Sequence, residues 1–172
     1  MSAPIELLCR DAMATRATGA AIAEVLQAGD VVLLDGDLGA GKTTMTQGLA
    51  RALGVTETVT SPTFTLIRSY LTGAGFELYH ADVYRLEMLS EIVDLGLSEM
   101  IEDRGVAVIE WGERAASVLG TDLLHVRITH TDTDGERHVT MRPGGESWSR
   151  RWGSLKAALR RPAPAGWAGR AT

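Results

Sequence analysis

The run Gly36-Asp37-Leu38-Gly39-Ala40-Gly41-Lys42-Thr43 sets glycine, lysine and a hydroxyl residue at the spacing G-x-x-x-x-G-K-[ST]. Glycines at these positions let a backbone curl around phosphate oxygens with its amides turned inward, in conformations that side chains forbid. A lysine directly after the loop reaches the β- and γ-phosphates, and the hydroxyl after it can coordinate Mg²⁺. Only Lys42 and Lys156 are lysines among the 17 basic residues, so a lysine inside a glycine loop is not ordinary usage in this chain. Gly36, Gly39, Ala40, Gly41, Lys42, Thr43 and Thr44 are the expected contacts to ATP or ADP, with Thr43 on the metal.

Such a loop needs a carboxylate near the metal, carried by the end of a neighbouring buried strand. Glu110 closes the apolar run Val106-Ala107-Val108-Ile109, and Asp82 follows a second strand-like segment. Either could be a plain solvated carboxylate at a strand end. Together, beside a complete phosphate loop, they read as a working pair. Glu110 is assigned to Mg²⁺, directly or through water, and Asp82 to a second metal shell or to positioning a water. With Lys42 they make the expected catalytic set. Trp111, next after Glu110, reads as an anchor at the core edge. His80, His125, His130 and His138 lack metal-ligand spacing and read as structural or surface residues. Arg85 and Arg137 are weighed as phosphate contacts, with surface roles favoured.

These groups require elements that hold them. The phosphate loop must follow a buried strand and open a helix, and Val31-Val32-Leu33-Leu34 before it and the stretch 44–53 after it read that way. A helix is predicted over 11–27, a strand entered from about residue 63, a turn at 72–75 and a strand over 76–82. Helical segments broken at Gly96 are expected over 87–102, a strand over 106–109 and a helix over 113–119. Strands over 123–129 and 137–141 flank Asp134-Gly135, a hairpin turn signal, and 146–159 reads as a last helix. The fold class is α/β: a single P-loop domain over 1–160, with a mostly parallel central sheet, flanking helices and an antiparallel hairpin. Residues 161–172 have the Pro/Ala/Gly composition of a flexible tail.

The 172-residue length suits one domain. A net charge of −5 argues against strong direct binding to nucleic acid, which calls for a basic stripe. The single cysteine, Cys9, can form neither an internal disulfide nor a cysteine metal cluster. It reads as a small apolar side chain. No secretory signal pattern and no apolar run of about 18 residues is present. The expectation is a cytoplasmic protein with no membrane partner.

The phosphate loop is followed in order by Ser61-Pro62-Thr63-Phe64-Thr65-Leu66, His80-Ala81-Asp82-Val83-Tyr84-Arg85-Leu86 and Glu110-Trp111. This succession resembles the TsaE (YjeE) family, from about Thr15 to about Arg137. The resemblance implies a P-loop ATPase that acts with TsaB and the transferase subunit TsaD. Its ATP turnover would support repeated cycles of a machine that transfers a threonylcarbamoyl group to the adenosine beside the anticodon, in tRNAs reading codons that begin with A. RNA would then be met only through the complex. It further implies that Lys42 and Thr43 serve phosphate and Mg²⁺, that Asp82 and Glu110 are the acidic pair, that Trp111 lies beside the nucleotide, and that 61–65 is a switch-like loop. The chain departs from the family pattern in Phe64 for tyrosine, in Ala81 for an aromatic residue, and in Glu136 standing between Gly135 and Arg137.

Three other readings were weighed. A small-molecule kinase would carry an arginine-rich lid, for which Arg150-Arg151 is the one nearby basic pair. A regulatory GTPase needs an Asn/Thr-Lys-x-Asp loop, and neither lysine stands in one. An assembly factor would bind nucleotide without cleaving it.

Overall fold

In the computed structural model, which describes residues 2–161, the apolar runs become the centre of a seven-stranded sheet. The strands are β1 (Ile5–Cys9), β2 (Val31–Asp35), β3 (Ile67–Leu71), β4 (Glu77–Asp82), β5 (Val106–Glu110), β6 (Leu124–His130) and β7 (Arg137–Pro143). Their order across the sheet is β1-β7-β6-β2-β5-β4-β3. The four central strands run parallel, and β7, β1 and β3 add antiparallel edges. The expected α/β class holds, including the antiparallel hairpin, β6 to β7.

Burial on both faces explains why β2 and β5 show no alternation of apolar and polar residues. Val32 and Leu34 of β2 and Val106 and Val108 of β5 face one core, and Val31, Leu33, Ala107 and Ile109 face the other. The first core is covered by α1 (Ala12–Ala23), α2 (Lys42–Ala52) and α6 (Gly145–Leu159). The second is covered by α3 (Leu89–Asp94), α4 (Leu97–Glu102), a 3₁₀ turn (Gly112–Ala115) and α5 (Ala116–Leu119). Among the described residues, no helix is long and apolar enough to cross a membrane.

Three elements differ from expectation. The helix expected over 11–27 ends at Ala23. The stretch 5–9, given no element from its sequence, is an edge strand paired along its whole length with β7. The strand expected from about residue 63 begins at Ile67, because Leu66 has a left-handed backbone (φ 65°) and its amide bonds the carbonyl of Pro62. Residue 161 pairs through Arg161 with Glu24, and the rest of the expected tail lies outside the described residues.

Helix α1 begins where Asp11 accepts the amide of Ala14 at 2.7 Å, an N-cap worth about 1 kcal/mol. Helix α6 is fastened by Asp122, which accepts the amides of Ser147 and Trp148. Arg151 joins the same helix to Asp30 at 2.6 and 2.7 Å, just ahead of β2. The basic pair weighed as a lid is therefore committed elsewhere: Arg151 to Asp30, and Arg150 to Glu146 one turn back.

Helices α1 and α2 approach until backbone meets backbone. A Cβ on Gly48 would lie 2.0 Å from the Arg16 carbonyl oxygen, and one on Gly19 would lie 2.0 Å from the Met45 carbonyl oxygen. Gly48→Ala gains roughly 1 kcal/mol of helix propensity but forces the two backbones apart. A net loss of about 2 kcal/mol, read from urea denaturation, is the expected result. An unchanged midpoint would mean that the pair can part without cost.

Candidate functional site

The site forms where β2, β5 and β4 end. Parallel strands bring their carboxyl ends to one edge of the sheet, and the crevice outside that edge is the usual ligand position in open α/β sheets. Asp82 is the direct neighbour of Glu110 across the β4–β5 pair, and Leu34 is its neighbour across β2–β5. The two acids that the sequence separates by 28 positions thus sit side by side, each 4 % exposed.

Between β2 and α2 the loop depends on glycine. Gly36 has φ 147°, and a Cβ there would come within 2.2 Å of the Ile128 carbonyl oxygen. Gly41, in the left-handed region at φ 110°, stands at the N-cap of α2 without any side chain capping the first turn. The free amides of that turn and the helix dipole therefore face the crevice.

Lys42 is 5 % exposed, and its amine donates to the carbonyls of Gly36 at 2.7 Å and Asp37 at 2.9 Å. It also lies 4.1 Å from the centre of the Trp111 ring. Burial pulls its pKa down from the ordinary lysine value, while the fields of Glu110, Asp82, Asp35 and Asp37 oppose that shift. Thr43 donates its hydroxyl hydrogen to Glu110 Oε1 at 2.7 Å. Asp82 accepts the Tyr84 amide at 2.9 Å, Thr63 Oγ1 at 3.2 Å and Ser61 Oγ at 3.4 Å. The 61–65 segment is thereby latched onto the second acid.

Trp111 holds a left-handed backbone (φ 60°), an uncommon state for a bulky side chain. Its amide donates to the Leu34 carbonyl at 2.8 Å, and its ring packs on Tyr84 with centroids 4.8 Å apart. That conformation turns the indole over the Lys42 amine.

A cleft of about 360 Å³ gathers Gly39, Gly41, Lys42, Thr43, Thr44, Asp82, Glu110 and Trp111, together with Leu38, Ser61, Thr63, Tyr84 and Arg85. Two residues named from the sequence do not line it. The Gly36 carbonyl receives Lys42, and Ala40 is fully buried behind the loop.

Sequence reasoning missed three participants. His80, taken as structural or surface, is 0 % exposed and bonds Glu110 Oε1 through Nε2 at 2.8 Å. The signal was the period of two: His80 and Asp82 must share a face of β4. Arg137 was weighed as a phosphate contact or a surface residue. It donates from Nε to the Ala40 carbonyl at 2.9 Å and from Nη2 to the Gly39 carbonyl at 3.2 Å, gripping the phosphate loop from outside the cleft. No local pattern announces a contact across 97 residues. Tyr84, the third, stacks on Trp111.

Comparison with known proteins follows the same lines. The family model for the threonylcarbamoyl adenosine biosynthesis protein TsaE matches residues 9–139. The tRNA threonylcarbamoyladenosine biosynthesis protein TsaE of Streptomyces coelicolor is 47 % identical over 139 residues, covering 78 % of this chain and 93 % of that protein. The protein of the same name from Bacillus subtilis is 43 % identical over 134 residues, covering 78 % and 82 %. The crystal structure of Bacillus subtilis YdiB superposes with a TM-score of 0.74 at 33 % identity, covering 92 % of this chain and 95 % of that one.

The electrostatics of the loop's base can be checked directly. Burial, with Glu113 beside it, raises the Asp35 carboxyl above its ordinary 3.8, although the Glu113 amide opposes the shift. A carboxylate whose folded pKa is raised destabilises the fold above that pKa, and the penalty vanishes below the unfolded value. Asp35→Asn keeps an acceptor for the Glu113 amide and should raise Tm at pH 7. The gain should close as pH falls below 3.8. A gain that persists at pH 3 would assign the effect to packing rather than charge.

Proposed function

Since the chain belongs to the TsaE family, we propose that it is a Mg²⁺-dependent ATPase acting with TsaB and TsaD homologues in threonylcarbamoylation of the adenosine beside the anticodon, in tRNAs reading codons that begin with A. The observation that carries the reading is the hydrogen bond from Thr43 to Glu110, made in a cleft that also holds the Lys42 amine and the Asp82 carboxylate. A hydroxyl that coordinates a cation with its oxygen still has a hydrogen to give, and Glu110 receives it.

The residues present fit such a ligand. The donor set is hydroxyl and carboxylate oxygen, which suits a hard cation that keeps water and phosphate oxygens in its remaining positions. The loop ahead of it is seated tightly at Gly36, where a Cβ would meet the Ile128 carbonyl oxygen packed behind it. Thr43, with Glu110 behind it, would hold magnesium, which would supply positive charge to offset charge developing on the phosphates.

The chain's own groups divide the remaining tasks. The amides of the loop and of the first turn of α2 orient the phosphates. Lys42 exchanges the carbonyls of Gly36 and Asp37 for β- and γ-phosphate oxygens. Glu110 fixes the Thr43 hydroxyl. The Asp82 carboxylate, still holding unused lone pairs, orients a water and can receive its proton. Trp111 and Tyr84 shield the amine from bulk water.

Partner dependence draws support from the mouth of the cleft. Leu38 is 88 % exposed and Phe64 84 %, and Arg85 stacks 4.5 Å above the Phe64 ring. Large apolar side chains exposed beside a polar cleft are a surface that a second protein can cover. A protein lid of that kind would make ATP turnover slow alone and faster in the complex. The net charge of −5 fits RNA met through partners.

The test is ATP turnover by the purified protein, alone and with TsaB, TsaD and tRNA. Partners should raise turnover severalfold, and chelating Mg²⁺ should abolish it. Lys42→Ala should lower it by at least about 100-fold, the scale expected when a fixed charge on the transferred group is lost. Nucleotide binding without hydrolysis in any mixture would favour an assembly factor instead. Full activity in Lys42→Ala would refute the phosphate-loop assignment.

A further inference from the structure

His80 is a fully buried polar ring with one hydrogen bond, and that bond goes to Glu110. An ionised carboxylate only accepts, so the hydrogen must sit on His80 Nε2. Among the described residues Nδ1 has no hydrogen-bonding partner. A buried polar atom left so costs roughly 1–3 kcal/mol. A histidine chosen for packing would be replaced at no loss by an apolar residue, so the Nε2 contact is what distinguishes this ring.

The same oxygen, Glu110 Oε1, also accepts the Thr43 hydroxyl. Two donors fill its lone-pair directions, one from α2 and one from β4. The terminal torsion of a glutamate is broad and soft. Among the carboxylates around Lys42, Glu110 has the largest opposing influence on the burial that lowers its pKa. Without a second donor the carboxylate is free to turn toward that ammonium. With both donors on Oε1 that oxygen is held in place.

We propose that His80 is a positioning residue for Glu110: its Nε2–H locks the carboxylate in register with the Thr43 hydroxyl and so sets the affinity of the cleft for Mg²⁺. The proposal rests on the reading of Glu110 given under Proposed function, and it does not depend on titration of the ring. Partners of this kind, one bond removed from a metal, typically alter metal affinity by about 10–100-fold when lost.

Glutamine and methionine have matched length and differ at the tip, where only the amide can donate to Oε1. Calorimetry of ADP binding with and without Mg²⁺, on wild type, His80→Gln and His80→Met, reads the effect without turnover. His80→Met should weaken Mg²⁺ binding to the ADP complex about tenfold, leaving metal-free ADP affinity unchanged. His80→Gln should recover most of the loss. Turnover should follow with a raised apparent KM for Mg-ATP, because weaker Mg²⁺ binding to the nucleotide complex weakens Mg-nucleotide binding by the same factor. If His80→Met loses its cooperative unfolding transition, His80→Asn replaces it, because its amide is too short to reach Oε1. Glu110→Gln is measured alongside. If Glu110→Gln loses the magnesium effect and the donor-free His80 variant keeps it, the proposal is wrong and the reading of the cleft stands. If Glu110→Gln keeps the magnesium effect, that reading fails, and this proposal fails with it.

Discussion

An ammonium group and two carboxylates are held together out of water at the end of this sheet. Lys42, Asp82 and Glu110 are each no more than 5 % exposed. Any one of them buried alone would cost several kcal/mol or give up its charge. Their mutual attraction offsets part of that cost, and hydrogen bonds offset more: two carbonyls on Lys42, a hydroxyl and an imidazole on Glu110, an amide and two hydroxyls on Asp82. The supporting groups come from several segments. The loop after β2, the strand β4 and the 61–65 segment must therefore all be in place for the charges to be tolerated.

The scaffold meets that demand with stiffness. Strands buried on both faces fix where Glu110 and Asp82 end, to within one residue of register, because a slip would turn both acids to the opposite face of the sheet. Helix α2 carries Lys42 and Thr43 on its first turn. It is seated against α1 at a distance that only Gly19 and Gly48 permit, so the phosphate loop is braced at its helical end by backbone contact. Within the loop the brace is the Arg137 guanidinium on the carbonyls of Gly39 and Ala40. Apolar packing holds the elements, and a few directed polar bonds hold the loop between them.

What could be read from the sequence follows from the range of the interactions. The glycine loop is a local motif, so spacing alone located it. The two acids were found because a buried strand advertises its end by composition. β1 escaped because five residues at an edge acquire a strand's identity only from β7, more than a hundred residues later. Arg137 escaped for the same reason, its bonds being to backbone carbonyls that carry no sequence signature. His80 was legible in principle from its place two residues before Asp82. It was passed over because histidines were examined for metal spacing and not for hydrogen bonding to a neighbouring strand. Leu66 displaced the start of β3 through a backbone angle that leucine seldom adopts.

The Arg137 grip also bears on the order in which the protein comes into being. The loop leaves the ribosome early, complete with its glycines and its lysine. The carbonyl of Ile128 that packs behind Gly36 and the guanidinium that seizes Gly39 and Ala40 are synthesised about a hundred residues afterward. A nascent chain can thus own the entire phosphate motif while lacking the parts that shape it. The last hairpin, β6 to β7, completes the shape of the loop, so chains that lack it carry the motif without its shaping contacts.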